Sequence, residues 1–344
     1  MSRQVRVLVV DDSAYVRKVV RQMLSRSPSI EVVGSARDGR EALDLVERLQ
    51  PDVVTLDLIM PVMDGLSFLN EQMKRRPLPV VVVSIASEGG AQALAALDAG
   101  AIDFVQKPTA LATEKILEIS EELVQKVTAA AEASVAKLPS VAPVPAPSLG
   151  APRGAGLVDL VAIGVSTGGP QALRVVIPAL PATFPVPIAI VLHMPVGYTA
   201  MYAARLDSLS ALRVVEAREG DSVQPGTVLL APAGRHLTFR QTHRGVVAHL
   251  DARPFDTPHR PSVDVLFRSA AETYGARVLG VVMTGMGSDG REGAAWIKAQ
   301  GGIVFTEAEE SCVVYGMPRA VVEAGLSDRA VSLPQLASAI LEVV

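Results

Sequence analysis

The sequence predicts an α/β protein of two doubly wound, parallel-sheet domains, the second Rossmann-like and carrying an antiparallel hairpin at the edge of its sheet. Three observations carry this. The chain has 344 residues, more than a single core usually serves, so two cores are expected. Hydrophobic residues make up 49% of it but aromatics only 4%. The cores must therefore be filled by Val, Ala, Leu and Ile, the composition of parallel strands buried on both faces. Finally, short apolar runs alternate with amphipathic stretches on either side of one Pro- and Ala-rich segment, PSVAPVPAPSLGAPRGAG at 139–156.

The runs VRVLVVDD, EVVGSA, DVVTLD, VVVVSI and DFVQKP within the first 108 residues predict five strands with intervening helices. A closing amphipathic helix is expected over residues 111–128. The first domain is placed at 1–126. Residues 127–156 read as a linker, made partly extended and semi-rigid by its prolines. The second domain, 157–344, shows further strand runs at LVDLVAIG, PVPIAIVLH, GTVLLAP, ARVLGVVMTG and GGIVFTE. The stretch LTFRQTHRGVVAHL reads as the edge hairpin rather than another βα unit.

Charge and cysteine content exclude several classes. There are 15 cationic against 18 anionic side chains up to residue 126, and 17 against 18 after it. Neither part has the basic excess of a nucleic-acid binder. With Cys312 as the one cysteine, no intrachain disulfide can form. No apolar run approaches the ~18 residues of a spanning helix, so no membrane insertion is expected. No basic, then apolar leader begins the chain, and the cytoplasm is the expected location.

Asp11 and Asp12 end the first strand run and Asp57 ends the third. Strands one and three are neighbours in a doubly wound sheet, so three carboxylates converge on one crevice. Their repulsion is relieved by a hard divalent cation such as Mg²⁺. Ser84 and Lys107, at the ends of runs four and five, bring a hydroxyl and an ammonium to the same rim. The set suits phosphoryl transfer, with Asp57 as nucleophile, the metal and Lys107 neutralising charge, and Ser84 bonding the phosphoryl group. Any one such aspartate, Asp38 or Asp103 for example, can equally be a helix cap; five matching positions together are not explained that way. Phe104 suits either a core aromatic or a rotating switch. These residues resemble the receiver domain of two-component response regulators, through DD, LDLIMPVMDG, S and KP. The resemblance implies a sensor histidine kinase as phosphodonor, and a metal held by Asp11, Asp12, Asp57 and the backbone carbonyl of Ile59, a position that is often polar in that family.

In the second domain, Gly164-Val165-Ser166-Thr167-Gly168 is a G-x-S-x-G turn between a strand and a helix, which exposes the serine oxygen. Alone the motif is weak, because a phosphate cradle looks similar. His193 stands directly after the long apolar run PIAIVLH, and Asp289 follows RVLGVVMTG and a glycine-rich turn. Three strand ends then bring nucleophile, base and orienting acid to one sheet edge. The order Ser, His, Asp differs from the Ser, Asp, His of α/β-hydrolases. The Met286 N–H is a candidate oxyanion donor and Thr167 either a partner of the imidazole or a helix cap. His236, His243 and His249 read as exposed or structural, His259 as a cleft residue without an acid partner, and Cys312 as a small buried thiol. A dinucleotide-binding sensor is disfavoured, since the turn is not G-x-G-x-x-G, and a DNA-binding output domain is disfavoured for want of a basic helix.

With GVSTGGP, LHMP, APAGRHL, HRPSVDVLF and TGMGSDG in this order behind the acidic pocket, the chain resembles the chemotaxis response-regulator protein-glutamate methylesterases. The resemblance implies hydrolysis of glutamate methyl esters on chemoreceptors, with methanol released, and deamidation of certain receptor glutamines. It implies no cofactor in the catalytic domain. It also implies that the unphosphorylated receiver packs over the catalytic edge until phosphorylation relieves the block.

Overall fold

The computed structural model describes residues 3–84, 86–107, 113–133 and 156–344. The chain divides into two units, 1–141 and 142–344, each with its own core. The first unit runs β1 (Val5–Val10), α1 (Ala14–Leu24), β2 (Ile30–Ala36), α2 (Gly39–Leu49), β3 (Val53–Leu56), α3 (Gly65–Arg75), β4 (Val80–Ser84), α4 (Ala86–Asp98), β5 (Asp103–Gln106) and α5 (Thr113–Glu132). Its sheet is parallel throughout, in the order β2-β1-β3-β4-β5. All five expected strands are present, and β3 and β4 are buried at every residue.

Local chemistry sets the helix starts. Asp38 caps α2 by accepting the Arg40 and Glu41 N–H groups, each at 2.9 Å, and Asp64 caps α3 through the Ser67 N–H at 2.7 Å. Such caps are worth about 1 kcal/mol each. Asp103 receives Lys126 of α5 at 3.1 Å, and Lys126 also donates to the Phe104 carbonyl at 2.8 Å, which fastens α5 to β5. Asp38 and Asp103 thus have structural roles. Helix α5 continues to Glu132, past the expected end at 128, so the first residues read as linker are helical. Residues 134–155 of that segment lie outside the described residues.

The second unit runs β6 (Leu160–Val165), α6 (Gly169–Val176), β7 (Ile188–Leu192), α7 (Thr199–Leu209), β8 (Arg213–Glu216), β9 (Thr227–Leu230), β10 (His236–Thr242), β11 (Gly245–Asp251), α8 (Val263–Tyr274), β12 (Val278–Val282), α9 (Arg291–Ala299), β13 (Ile303–Glu307), α10 (Met317–Glu323), β14 (Arg329–Val331) and α11 (Leu333–Leu341). Seven strands form a parallel sheet in the order β14-β13-β12-β6-β7-β9-β8. Strands β6, β7 and β12 are buried at every residue, as their continuous apolar runs require.

The antiparallel hairpin forms, but as a separate two-stranded sheet of β10 and β11 rather than at the edge of the main sheet. Its apolar face, Leu237, Phe239 and Ala248, packs with Leu266, Phe267 and Ala270 of α8. Alternation along the hairpin buries one face only, and α8 covers it. The edge beyond β9 belongs instead to β8, a four-residue strand that the sequence reading does not contain.

The order of the second sheet fixes where a site can lie. The chain leaves β6 for its neighbour β7 and later returns to β12 on the other side of β6. Such a reversal opens a crevice at the carboxyl ends of the strands, the usual ligand site of doubly wound sheets.

Candidate active site

The acidic pocket of the first unit is built by backbone register. The Asp57 N–H donates to the Val10 carbonyl at 2.9 Å and the Lys107 N–H to the Ser84 carbonyl at 2.7 Å. The ends of β1, β3, β4 and β5 therefore share one rim. Lys107 Nζ lies 2.7 Å from Asp57 Oδ2 and 2.9 Å from Asp11 Oδ2. Carboxylate oxygens of Asp11, Asp12 and Asp57 all lie within 4.8 Å of one another. Burial pushes the Asp11 carboxyl above its ordinary value, although Lys107 draws it down. Burial works against the Lys107 charge too, but its hydrogen bonds to Asp57 and Asp11 hold its ammonium above the usual lysine range. One ammonium facing three carboxylates leaves negative charge to spare, and this donor set fits a hard divalent cation. The Ile59 N–H points at Asp57 Oδ1 from 3.4 Å. Ser84 is buried at the end of β4, and Phe104 is buried in β5 with the Lys126 ammonium 5.8 Å from its ring centre.

In the second unit the residues singled out from sequence gather at the switch point. Ser166 follows β6 directly and its N–H donates to the Thr284 carbonyl at 3.0 Å, which joins the β6 and β12 ends. The His193 N–H donates to the Val165 carbonyl at 3.1 Å, so His193 stands beside Ser166 on the neighbouring strand end. His193 Nε2 is 2.8 Å from Asp289 Oδ2. A carboxylate only accepts, so Nε2 carries the proton and Nδ1 is left as the basic nitrogen. Nδ1 is buried and has no hydrogen-bond partner among the described residues. The imidazole thus uses its two nitrogens in the reverse of the familiar triad, where Nδ1 faces the acid.

Asp289 is strongly held. Besides His193 it accepts Ser262 Oγ–H at 2.9 Å, the Val263 N–H at 2.8 Å and the Asp264 N–H at 2.9 Å. Burial opposes its charge, yet the hydrogen bond from His193, with these N–H groups, keeps its carboxyl well below the usual carboxylate range. Two more histidines belong to this neighbourhood. His259 stacks on His193 with ring centres 4.1 Å apart and planes at 26°. His236 is fully buried, accepts the Ser262 N–H at Nδ1 from 3.2 Å, and sits 3.1 Å from the Pro254 carbonyl through Nε2. Burial holds its imidazole below the ordinary histidine value, in keeping with an accepting Nδ1. His243 is exposed and His249 bonds Glu219 and Arg240 on the hairpin, away from these contacts.

The turn carrying Met286 is anchored by a buried polar cluster. Thr284 donates its N–H to Glu307 Oε2 at 2.9 Å and its hydroxyl to the Thr167 carbonyl at 3.0 Å. Thr167 is buried, and so is Cys312, the small buried thiol expected. Gly285 is pressed between Ser166 and Met317: a Cβ there would lie 2.7 Å from Ser166 Cβ and 2.4 Å from Met317 Sδ. We expect Gly285→Ala to destabilise the second unit by about 1–3 kcal/mol by overpacking. It should slow hydrolysis on the order of tenfold or more by displacing the serine. Thermal melting and turnover of the one variant measure both, and wild-type turnover would refute the close approach as a functional constraint.

Comparison with known proteins agrees with this fold. The CheB methylesterase family model matches residues 161–340 and the response regulator receiver domain model residues 7–120. A protein-glutamate methylesterase/protein-glutamine glutaminase of Myxococcus xanthus is 52% identical over 324 residues, covering 94% of this chain and 93% of its own. One of the same name from Geobacillus kaustophilus is 45% identical over 350 residues, covering 99% of both. The crystal structure of the Thermotoga maritima CheB methylesterase catalytic domain matches with a TM-score of 0.52 at 42% identity, over 54% of this chain and 97% of that one. With relatives aligned along nearly the whole length and the serine-bearing sheet inside the matched region, the chain belongs to the CheB methylesterase family, in the form that carries a response regulator receiver domain ahead of the catalytic domain.

Proposed function

We propose that the chain is a phosphorylation-activated serine hydrolase that cleaves glutamate methyl esters on chemoreceptors, giving glutamate and methanol, and deamidates receptor glutamines by the same route. The observation that carries it is the buried 2.8 Å pair of His193 Nε2 with Asp289 Oδ2 at the strand end beside Ser166. Ser166 Oγ attacks the ester carbonyl while His193 Nδ1 takes its proton, and Asp289 stabilises the imidazolium. The Met286 N–H bonds the oxyanion, and Thr167 supports the imidazole side of the site. Collapse of the tetrahedral intermediate returns the proton to the departing methoxide, so methanol leaves and a glutamyl ester of Ser166 remains. Water, deprotonated by the same nitrogen, releases glutamate and restores the serine. With glutamine the leaving group is ammonia.

In the first unit, whose domain is residues 1–126 with α5 running on to Glu132 before the linker to the 157–344 catalytic domain, Asp57 receives a phosphoryl group from a sensor histidine kinase. Asp11, Asp12, Asp57 and the Ile59 carbonyl hold Mg²⁺, which when bound neutralises charge on the phosphoryl oxygens. Lys107 and Ser84 contact the phosphorylated aspartate, and Phe104 is the switch aromatic. The reading places the enzyme in the cytoplasm; among the described residues no helix is long and apolar enough to cross a membrane.

The test is methanol release from methylated receptor, with and without a small phosphodonor such as acetyl phosphate. Faster release with the donor supports both sites at once, and no release in either condition refutes the hydrolase reading. A narrower test removes one carboxylate. Asp12→Ala should weaken Mg²⁺ affinity on the order of tenfold and slow Asp57 phosphorylation. Mg²⁺ titration checks this, and unchanged affinity would remove Asp12 from the metal site.

A further inference from the structure

The acid of the catalytic set is locked by a second carboxylate that neither the motifs nor the relatives' names assign. Asp289 caps helix α8, taking the Val263 and Asp264 N–H groups and the Ser262 hydroxyl described above. The reverse contact also exists. Asp264, in the first turn of α8, accepts the Gly290 N–H at 2.9 Å and the Gly293 N–H at 2.7 Å through Oδ1, and so caps α9. Gly290, at the N-cap of α9, has no side chain to do this. Asp289 caps the helix that carries Asp264, Asp264 caps the helix that follows Asp289, and the two form a closed loop of hydrogen bonds around the segment that delivers Asp289 to His193. The approach of α8 is itself provided by the first glycine of the serine motif, since a Cβ on Gly164 would lie 2.2 Å from Val263 Cγ1.

We propose that Asp264 is a positioning residue for ester hydrolysis, holding Asp289 in register with His193 through this reciprocal cap. The inference rests on the reading of Ser166, His193 and Asp289 as the reacting set. Asp264 touches neither the imidazole nor the reacting atoms and acts through the carboxylate that does. Burial pushes its carboxyl above the ordinary aspartate value, against the pull of the Gly293 N–H and with the Asp289 charge adding to the rise. Both N–H groups are accepted by the one oxygen Oδ1, which an asparagine side chain also supplies. Asparagine therefore reproduces its bonding, whereas alanine removes both bonds.

The experiment compares full-length Asp264→Ala, Asp264→Asn and, as a control on the underlying reading, Asp289→Asn. Asp264→Ala should lower kcat on the order of ten- to a hundredfold with KM within about twofold, the scale of an ångström's misplacement of a catalytic group. The acid limb of its pH profile should move to lower pH, because a displaced Asp289 stabilises the His193 imidazolium less. The other titratable ring against His193 is His259, which the substitution leaves in place. Asp264→Asn should recover most of the lost rate and the position of the limb. Full activity in Asp289→Asn would overturn the reading beneath. An inactive Asp289→Asn with wild-type kcat and limb in Asp264→Ala would overturn this inference alone, and so would equal losses in both Asp264 variants with an unmoved limb. Should Asp264→Ala not fold, Asp264→Ser, with a shorter acceptor, carries the same comparison.

Discussion

Ser166→Ala is expected to reduce methanol release on the order of 10⁵-fold or more while phosphorylation of Asp57 proceeds as in the wild type. The substitution deletes one oxygen and leaves the backbone bond from Ser166 to Thr284, at 3.0 Å, in place. Folding should be little disturbed and the loss is chemical. His193 would remain paired with Asp289, but a base without a nucleophile can only activate water, a far slower route. Because the set acts as a unit, Ser166→Ala combined with His193→Ala should be no less active than Ser166→Ala alone, within about threefold. A multiplicative fall in the double variant would show that the two side chains act independently, and appreciable turnover in Ser166→Ala would move the nucleophile elsewhere. Incorporation of labelled phosphate into the same preparation separates loss of chemistry from loss of structure in the first unit.

Those residues were readable because each follows a strand buried on both faces. LVAIGV, IAIVL and VLGVV have no polar interruption, so their ends are unambiguous, and a polar residue just beyond such an end must emerge at the sheet's rim. The same logic marks Asp11, Asp57, Ser84 and Lys107 in the first unit. Where strands are short and half exposed, the signal fades. RVVE of β8 and RAV of β14 are edge strands with too few apolar positions to rise above loop composition. The hairpin was legible from its alternation, but its partner was not, since alternation says that one face is covered and not that α8 covers it.

The supporting residues were hidden for a different reason. Asp264 lies 25 positions from Asp289 in sequence, and only the meeting of two helix starts makes it a partner. HRPSVD holds both Ser262 and Asp264, yet an aspartate in a first helical turn ordinarily reads as a favourable charge at the helix dipole and nothing more. His236, expected to be exposed or structural, is buried and structural; its link through Ser262 to Asp289 is a tertiary fact. His259 has no acid near it in the sequence to announce it, and its signal is a ring face laid on His193. Which imidazole nitrogen meets the acid also cannot be read from composition or spacing, because it depends on the ring's orientation at the strand end.

The second large effect belongs to the first unit. Asp57→Asn should abolish phosphorylation and leave methanol release flat across a phosphodonor titration in which the wild type rises. The amide cannot form an acyl phosphate, because its nitrogen takes the place of the attacking carboxylate oxygen. The fold should persist. Lys107 still has Asp11 at 2.9 Å, and removing one negative charge from a pocket with three carboxylates relieves repulsion rather than stranding a buried ammonium. The basal rate of Asp57→Asn should therefore match that of unphosphorylated wild type, since Ser166, His193 and Asp289 lie in the other unit and are untouched. How far the wild type rises is set by how differently phosphorylation favours the active and inactive populations, about 1.4 kcal/mol for each tenfold gain. Release assays at saturating acetyl phosphate give that ratio directly, and Asp57→Asn fixes its zero. A rise in Asp57→Asn equal to that of the wild type would mean that the donor acts at another site, and would separate the acidic pocket from control of the esterase.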